Sequence, residues 1–573
     1  MSIQLAANGK TFYRIVCADD AHPALRRAAD ELARYLGEMT GAKFPVFASA
    51  ESAQVIRFDA PEGADMAALG EEGVLIRVCP TGEIYLAGNT PRASLYAVYT
   101  FLDRLGCRWF TPEISRIPQR AVLETEAGEY SHKPAFEYRE PFYTEAFDGD
   151  WAVRNRVNGE HMRLTDREGG KICYFPGRFV HTFNELLPPD QYFDAHPEYY
   201  SEVNGERVRE RTQLCLTNPE VLRIAIEKIR AELLAHPECR IFSVSQNDWF
   251  NPCQCENCRR IDDEEGSHAG TLIRFVNAVA EALEPEFPDI WFDTLAYQYT
   301  RSAPKITRPR PNVIVRLCSI ECCFTHPLGT CDQFCEHFVK QQKLYGGSDF
   351  LTDLEDWSKI CDRLYIWDYC TNFMHYLLPY PDTEVLAPNL RFFLDHHVRG
   401  LFEEGAYGRG GGGYCAELHS YILAKLMWDP SLDENVLADE FIAGVYQSAA
   451  PVMKRIFAAY RAQILREDYH MMFAFRAESA FLDPEFIRSV RALFEEAKLA
   501  ADNETVLYQV RKAELWQRFL ELTHTAKSEA RDAEIDRFAA DCNAYGVEEL
   551  SEGRRFADSI EKMKEMSMEN CLR

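Results

Sequence analysis

The sequence predicts an α/β protein: an eight-stranded β/α (TIM) barrel over residues 134–430, with a small α/β domain at 1–133 and an all-helical domain at 431–573. Three observations predict it. At 573 residues the chain exceeds the size at which one core stops growing, so several domains are expected. Between residues 135 and 430 short β-branched and aromatic runs alternate with helical patterns, as a parallel barrel requires. After Trp428-Asp429-Pro430 strand signals stop, and Ala, Glu, Arg and Leu at helical spacing take over.

In the first domain, Phe12–Cys17 reads as a strand and Pro23–Leu36 as an amphipathic helix. Gln54–Phe58, Val74–Val78 and Ile84–Ala87 read as further strands, and Thr90-Pro91 supplies an N-cap and a first-turn proline for a helix through Leu105. The stretch Arg120–Lys133 is polar, carries no strong pattern and marks the domain boundary.

The barrel strands are then expected at Phe136–Tyr143, Phe175–Phe183, Gln213–Leu216, Arg240–Ser245, Trp291–Tyr297, Val313–Ile320, Arg363–Tyr369 and Gly400–Glu404. Helices are expected between them at Pro219–Leu234, Thr271–Leu283 and Asn389–His397. In the last domain Val452–Ile464 and Asp483–Ala500 carry the helical period.

A net charge of −27 repels phosphate backbones and anionic lipid surfaces, which excludes nucleic acid and membrane as expected partners. No run approaches the ~18 apolar residues of a membrane span, and Met1 to Val16 lacks the basic start and apolar run of an export signal. Nineteen cysteines, an odd number scattered through strands and loops, read as reduced thiols, so a cytoplasmic location is expected. Aromatics make up 12% of the chain, a load that sugar-binding clefts use as readily as cores do. A homo-oligomer is compatible with all of this.

Active sites of β/α barrels lie at the C-terminal ends of the strands, and the polar residues there are mostly carboxylates. Asn247 and Asp248 follow the fourth strand, Glu321 the sixth; Asp368 ends the seventh, and Glu403 and Glu404 end the eighth. Arg139 and Glu140 lie in the first strand, and His181 ends the second. Flanked by Trp249, Tyr297, Trp367 and Tyr369, such a ring suits glycosidic cleavage: one carboxylic acid protonates the leaving oxygen, and a second group supplies or stabilises the nucleophile. The alternative for any one acid is a structural partner for Arg139 or a solvated loop position; for Asn247 it is a turn cap.

Cys253-x-Cys255-x2-Cys258 places three thiols close together. They read either as reduced thiols or as a structural zinc site completed by Cys215 or His268; no metal is expected in catalysis itself. Cys322-Cys323 reads as strand-end packing. Gly408 to Gly413 lacks the endings of a phosphate-binding loop and reads as a flexible active-site loop.

Several segments resemble glycoside hydrolase family 163, the endo-β-N-acetylglucosaminidases: Thr90 to Leu102, Leu105 to Phe110, Arg154-Asn155-Arg156, His196 to Tyr199, Leu214 to Pro219, Ser245 to Cys258 and Phe402 to Gly405. The three-part layout is also similar to family 20 hexosaminidases and family 67 α-glucuronidases. The resemblance implies retaining, substrate-assisted catalysis on a small or imported glycan, in which the 2-acetamido carbonyl attacks the anomeric carbon. Family 20 enzymes carry an Asp-Glu pair after the fourth strand; here Asn247 would orient the acetamido group and Asp248 act as acid, or Glu321 or Glu404 would be the acid. Arg139 would hold sugar hydroxyls, and Asn155 falls in a matching segment. Two other readings stay open: a glycosidase for another sugar, such as a uronic acid, using Asp368 and Glu404, and a sugar-binding protein without catalysis.

Overall fold

A computed structural model describes residues 1–49, 52–331, 349–477, 479 and 481–565. The N-terminal region folds around a sheet ordered Gly128–His132, Val74–Val78, Ile84–Gly88, Val55–Arg57, Arg14–Val16, Val46–Phe47. Helices Pro23–Thr40 and Pro91–Arg104 accompany it. The first ends where Gly41 takes φ 70°, a left-handed C-cap that glycine adopts without strain. The second starts on Thr90, whose hydroxyl accepts the Ala93 N–H at 3.1 Å.

The stretch around 120–133, expected to be patternless, is two strands. Val122–Glu126 pairs with Ser2–Ala7 and Gly128–His132 pairs with Val74–Val78. Both lie at the periphery with mostly exposed or half-buried side chains, so no apolar alternation marks them.

The central sheet holds six parallel strands, ordered Tyr138–Phe142, Val398–Glu404, Leu364–Tyr369, Val313–Cys318, Trp291–Ala296, Ile241–Ser243. Tyr174 extends it by a single parallel bridge to Ile241. The result is a curled parallel half-barrel with helices packed outside it. Two of the eight expected strands take other forms. Of the second, Phe175–Phe183, no part is a strand: the bridge lies one residue earlier at Tyr174, and 175–183 runs as turns into the short helix Phe183–Leu186. The third, 213–216, makes only an antiparallel bridge from Leu214 to Tyr200, and the Gln213 side chain braces the loop at 247–250.

Strand parity sorts the side chains. Tyr138, Tyr174, Ile241, Ile314, Tyr365 and Phe402 fill the concave interior. Leu401 and Ile366, one residue out of step, join the larger core shared with the helices. Helices from Glu434–Tyr446 to Phe556–Glu565 form the tail. The glycine loop packs against that tail: Gly410, Gly411 and Gly412 have φ of 80°, 73° and 83°, and a Cβ on Gly410 would lie 1.6 Å from the Gly546 carbonyl oxygen. The loop is thus a tight joint and not the free flap expected.

Candidate active site

A cavity of about 300 Å3 opens at the C-terminal ends of the central strands. Val180, His181, Asp248, Leu295, Tyr297, Cys318, Ile320, Trp367, Tyr369, Phe373, Glu404, Tyr407, Phe473 and Glu552 line it. A larger one, about 510 Å3, lies at the opposite end, beside Glu137, Trp291, Arg363 and Arg399. In barrels that end serves stability and the C-terminal end serves chemistry.

Glu404 ends its strand on the concave side and is 7% exposed. The Trp367 indole N–H donates to its Oε2 at 2.7 Å. Burial is the main influence on its carboxyl, followed by the charge of Glu552, and together they push its pKa up to about 8. At neutral pH Glu404 therefore carries a proton while bordering a wet cavity, the condition a general acid needs. The next residue must be glycine, since a Cβ on Gly405 would lie 2.1 Å from the Tyr143 ring.

Asp248 is exposed. Its Oδ1 accepts the Tyr297 hydroxyl at 3.1 Å and the Gln298 amide at 3.5 Å, which leaves Oδ2 for a ligand. Its charge is felt at Glu404. His181 completes this side with φ 56° and Nδ1 2.7 Å from the Gln246 carbonyl; burial holds its pKa below the ordinary value. The rings of Tyr297, Trp367, Tyr369, Phe373, Tyr407 and Phe473 supply apolar faces. No Lys or Arg stands among the described lining residues.

Of the residues singled out in the sequence, Asp248, Glu404, His181, Tyr297, Trp367 and Tyr369 thus meet in one cavity. The others stand elsewhere. Asn247 is buried and committed: its amide donates to Asn184 Oδ1 and the Thr212 carbonyl, and it accepts the Asn184 N–H. It is a loop brace, not an orienter of an acetamido group. The Trp249 indole likewise donates to the Thr212 carbonyl, away from the cavity. Glu321 pairs with the buried Arg301, which also holds Asp353. Asp368 and Glu403 are on the convex face by parity. Asp368 accepts the Ser319 hydroxyl at 2.5 Å, and burial pushes its pKa up to about 6. Glu403 accepts from the Cys370 thiol, and burial raises its pKa well above the carboxylate range.

Arg139 points out of the sheet into the N-terminal domain, ion-paired with Glu72 at 2.5 Å and bonded to the carbonyls of Phe136 and Arg156. It is an interdomain clamp, not a sugar ligand. Asn155 donates to the carbonyls of Trp109 and Trp151, a second structural role. Glu140 lies deeper in the interior, bonded to Tyr138 and to the N–H and ring of His161. Burial opposes its charge, but His161 holds its pKa below the ordinary value.

Tyr407, Phe373, Phe473 and Glu552 were not singled out from the sequence. The Tyr407 hydroxyl donates to Glu552 at 2.6 Å, so a turn of the helical tail forms part of the wall. Tyr407 stands three residues after Glu404, a position that could have marked it; Phe473 and Glu552 carry no such signal.

Cys215, Cys253, Cys255 and Cys258 form a buried cluster, with one sulfur of each within 4.8 Å of the rest. The Sγ of Cys215 lies 3.7 Å from that of Cys255 and 3.9 Å from that of Cys258. A disulfide needs about 2.05 Å, whereas four thiolates about 2.3 Å from one tetrahedral zinc stand about 3.8 Å apart. His268, the alternative fourth ligand, bonds Asp262 instead.

A sequence profile described as a domain of unknown function, DUF4838, matches residues 109–458. The chain belongs to that family. No curated protein matches it. Among solved structures it is similar to a family 115 4-O-methyl-α-glucuronidase, BtGH115A, with specificity for decorated arabinogalactans: identity is 12%, the TM-score is 0.56, and 95% of this chain and 77% of that chain are covered. It is also similar to a family 89 glycoside hydrolase from Clostridium perfringens (12% identity, TM-score 0.49, 90% and 65% covered). A third likeness is to the N-acetyl-β-hexosaminidase of Streptomyces plicatus (12% identity, TM-score 0.39, 77% and 91% covered). At such identities the first likeness shows a shared glycoside hydrolase-like fold. No helix among the described residues is long and apolar enough to cross a membrane.

Proposed function

We propose that this protein is a glycoside hydrolase in which Glu404 is the general acid and Asp248 the partner carboxylate. One observation carries the reading: a buried carboxyl whose pKa is raised to about 8 faces the same aromatic-walled cavity as an exposed carboxylate. A protonated carboxyl and a second, solvent-facing carboxylate on one cavity are what glycosidic cleavage needs. Glu404 gives its proton to the leaving oxygen as the C–O bond breaks, and the bonding pair stays on that oxygen. Asp248 stabilises the cationic sugar and either attacks the anomeric carbon or takes a proton from water.

The lining supports a neutral sugar over a uronic acid. Asp248 and Glu552 border the cavity and no Lys or Arg stands among its described lining residues, so a sugar carboxylate would find no cationic partner in direct contact. A 2-acetamido sugar, as the family 163 resemblance implies, is the specific substrate we favour, because Asp248 Oδ2 is left to accept an acetamido N–H. In that case Asp248, not Asn247, orients the group. A thiazoline mimic of the oxazolinium intermediate separates the two mechanisms: tight inhibition supports acetamido participation, and indifference assigns direct attack to Asp248.

Hydrolysis is tested on aryl glycosides and oligosaccharides of neutral, 2-acetamido and uronic sugars. Asp248→Asn is expected to lower kcat/KM by ~10^2 to 10^4. Turnover of none of them, or near-normal activity in Asp248→Asn, would overturn the proposal. Two subsidiary readings accompany it. The four-cysteine cluster is proposed to hold a structural zinc, with the Arg207 guanidinium 3.6 Å from Cys253 Sγ offsetting the thiolate charge. A cytoplasmic site of action fits the free thiols of the described cysteines.

A further inference from the structure

Cys323, expected to be packing, belongs to a second cluster far from the first in sequence. Cys323, His326, Cys331 and His470 each bring one ligand atom within 4.8 Å of the others. We propose that these four residues bind a structural zinc ion that fastens the loop after the strand Val313–Cys318 to the helical tail.

The distances match a tetrahedral ion. Zinc–sulfur bonds of about 2.3 Å and zinc–nitrogen bonds of about 2.0 Å place S and N about 3.5 Å apart on a tetrahedron. Here Cys323 Sγ lies 3.6 Å from His326 Nδ1 and 3.3 Å from His470 Nδ1, and Cys331 Sγ lies 3.6 Å from His470 Nδ1. Two soft sulfurs and two imidazoles select zinc over calcium or magnesium.

The surroundings are those of a ligand set. His326 turns Nδ1 inward while its Nε2 is 3.5 Å from Asp468 Oδ1, the outer carboxylate that orients a metal-bound imidazole. The Thr325 backbone N–H points at Cys323 Sγ at 3.4 Å, which favours the thiolate. Backbone and hydroxyl bonds fix the two segments before any ion binds: Phe324 N–H to the Met471 carbonyl at 2.8 Å, Thr325 Oγ1 to the Tyr469 carbonyl at 2.7 Å, and Met471 N–H to Thr325 Oγ1 at 2.8 Å. His470 comes from the tail, so the ion would close a loop of more than a hundred residues. Three residues later the same segment delivers Phe473 to the cavity wall, where its carbonyl accepts the Phe373 N–H at 3.0 Å. The zinc would thereby set one face of the candidate active site.

The test uses the full chain, purified in reductant without added metal and passed over a chelating resin. Elemental analysis and zinc X-ray absorption are compared with His326→Ala/His470→Ala. We expect the double variant to lose one zinc equivalent per chain and the nitrogen contribution to the absorption fine structure, keeping any sulfur-only site. Cobalt(II) titration of metal-stripped wild type provides a measurement free of any folding defect: thiolate-to-cobalt absorption that includes a two-Cys, two-His component beside any four-cysteine site is expected, and its Cys323→Ser counterpart should show a weaker band. Equal zinc content in a folded double variant, a Cys323–Cys331 disulfide in the wild type by mass spectrometry, or a wild-type spectrum containing sulfur ligands alone would each overturn the proposal.

Discussion

Replacing Glu404 with glutamine tests both the acid and the environment that makes it one. The carboxyl moves from an ordinary 4.5 to about 8 on folding. Between those pH values folded Glu404 holds a proton that the unfolded chain has released, so this residue lowers stability progressively as pH rises through that window and adds no further change above it. At 1.36 kcal/mol per pH unit the full effect has a ceiling of about 5 kcal/mol, which water reaching the cavity lowers. Glutamine does not titrate. Wild type and Glu404→Gln should therefore differ little in their pH trend below pH 4.5, and the variant should gain on the wild type from there to pH 8. Asp368 and Glu403 titrate in both proteins and cancel. Urea midpoints at pH 4.5, 6, 7 and 8.5 measure the gap, while kcat/KM on substrates with poor leaving groups should fall by ~10^2 to 10^4 and on activated ones by less. Wild-type activity should also fall as pH rises through about 8, as the acid loses its proton. Parallel stability profiles, or a variant equally active on poor leaving groups, would refute both the raised pKa and the role.

Trp367→Phe removes an indole donor that favours the charged form of Glu404; the basic limb of the pH–rate profile should move up by up to about one unit, and an unmoved limb contradicts the contact. Glu552→Gln removes a like charge, and the same limb should move down by a fraction of a unit, more at low salt than at high. Arg139→Ala removes one of the two guanidinium partners of the buried Glu72, which keeps Arg92, and should cost about 1–3 kcal/mol of stability, with kcat/KM of the folded protein unchanged. A selective rise in KM would restore Arg139 as a sugar ligand.

Much of the fold was legible because local chemistry and tertiary context agree. Thr90 and Asp483 cap helices where the sequence places them, and strands buried on both faces, such as Val313–Cys318, read as apolar runs, broken there only by Arg316, which is buried against Asp293. What failed to read was what local pattern does not encode. The peripheral strands Val122–Glu126 and Gly128–His132 bury too little to alternate, and Leu214 sits in an apolar run that pairs outside the barrel. Of the candidate site, the sequence offers a ring of acids at strand ends, of which Asp248 and Glu404 line one cavity. Asn247 and Arg139 were misplaced because both are rich hydrogen-bonding groups, and a buried backbone recruits such groups as readily as a substrate does. Glu552, Phe473 and His470 come from the tail, brought to the barrel by helix packing that no motif announces.

The choice among the carboxylates follows from the pleat. Gly400, Phe402 and Glu404 share the concave face of one strand, and Gly400 leaves room for the Tyr365 ring, which a Cβ would meet at 2.7 Å. On the neighbouring strand Tyr365, Trp367 and Tyr369 share that face, so Trp367 reaches Glu404 while Asp368 faces the helices. Glu403 and Glu404 are adjacent and chemically identical, yet parity alone gives one a cavity and the other the Cys370 thiol. Burial raises both pKa values. A raised pKa is thus no mark of function by itself: Glu404 is proposed as the acid because it also borders the cavity, within hydrogen-bonding reach of an indole.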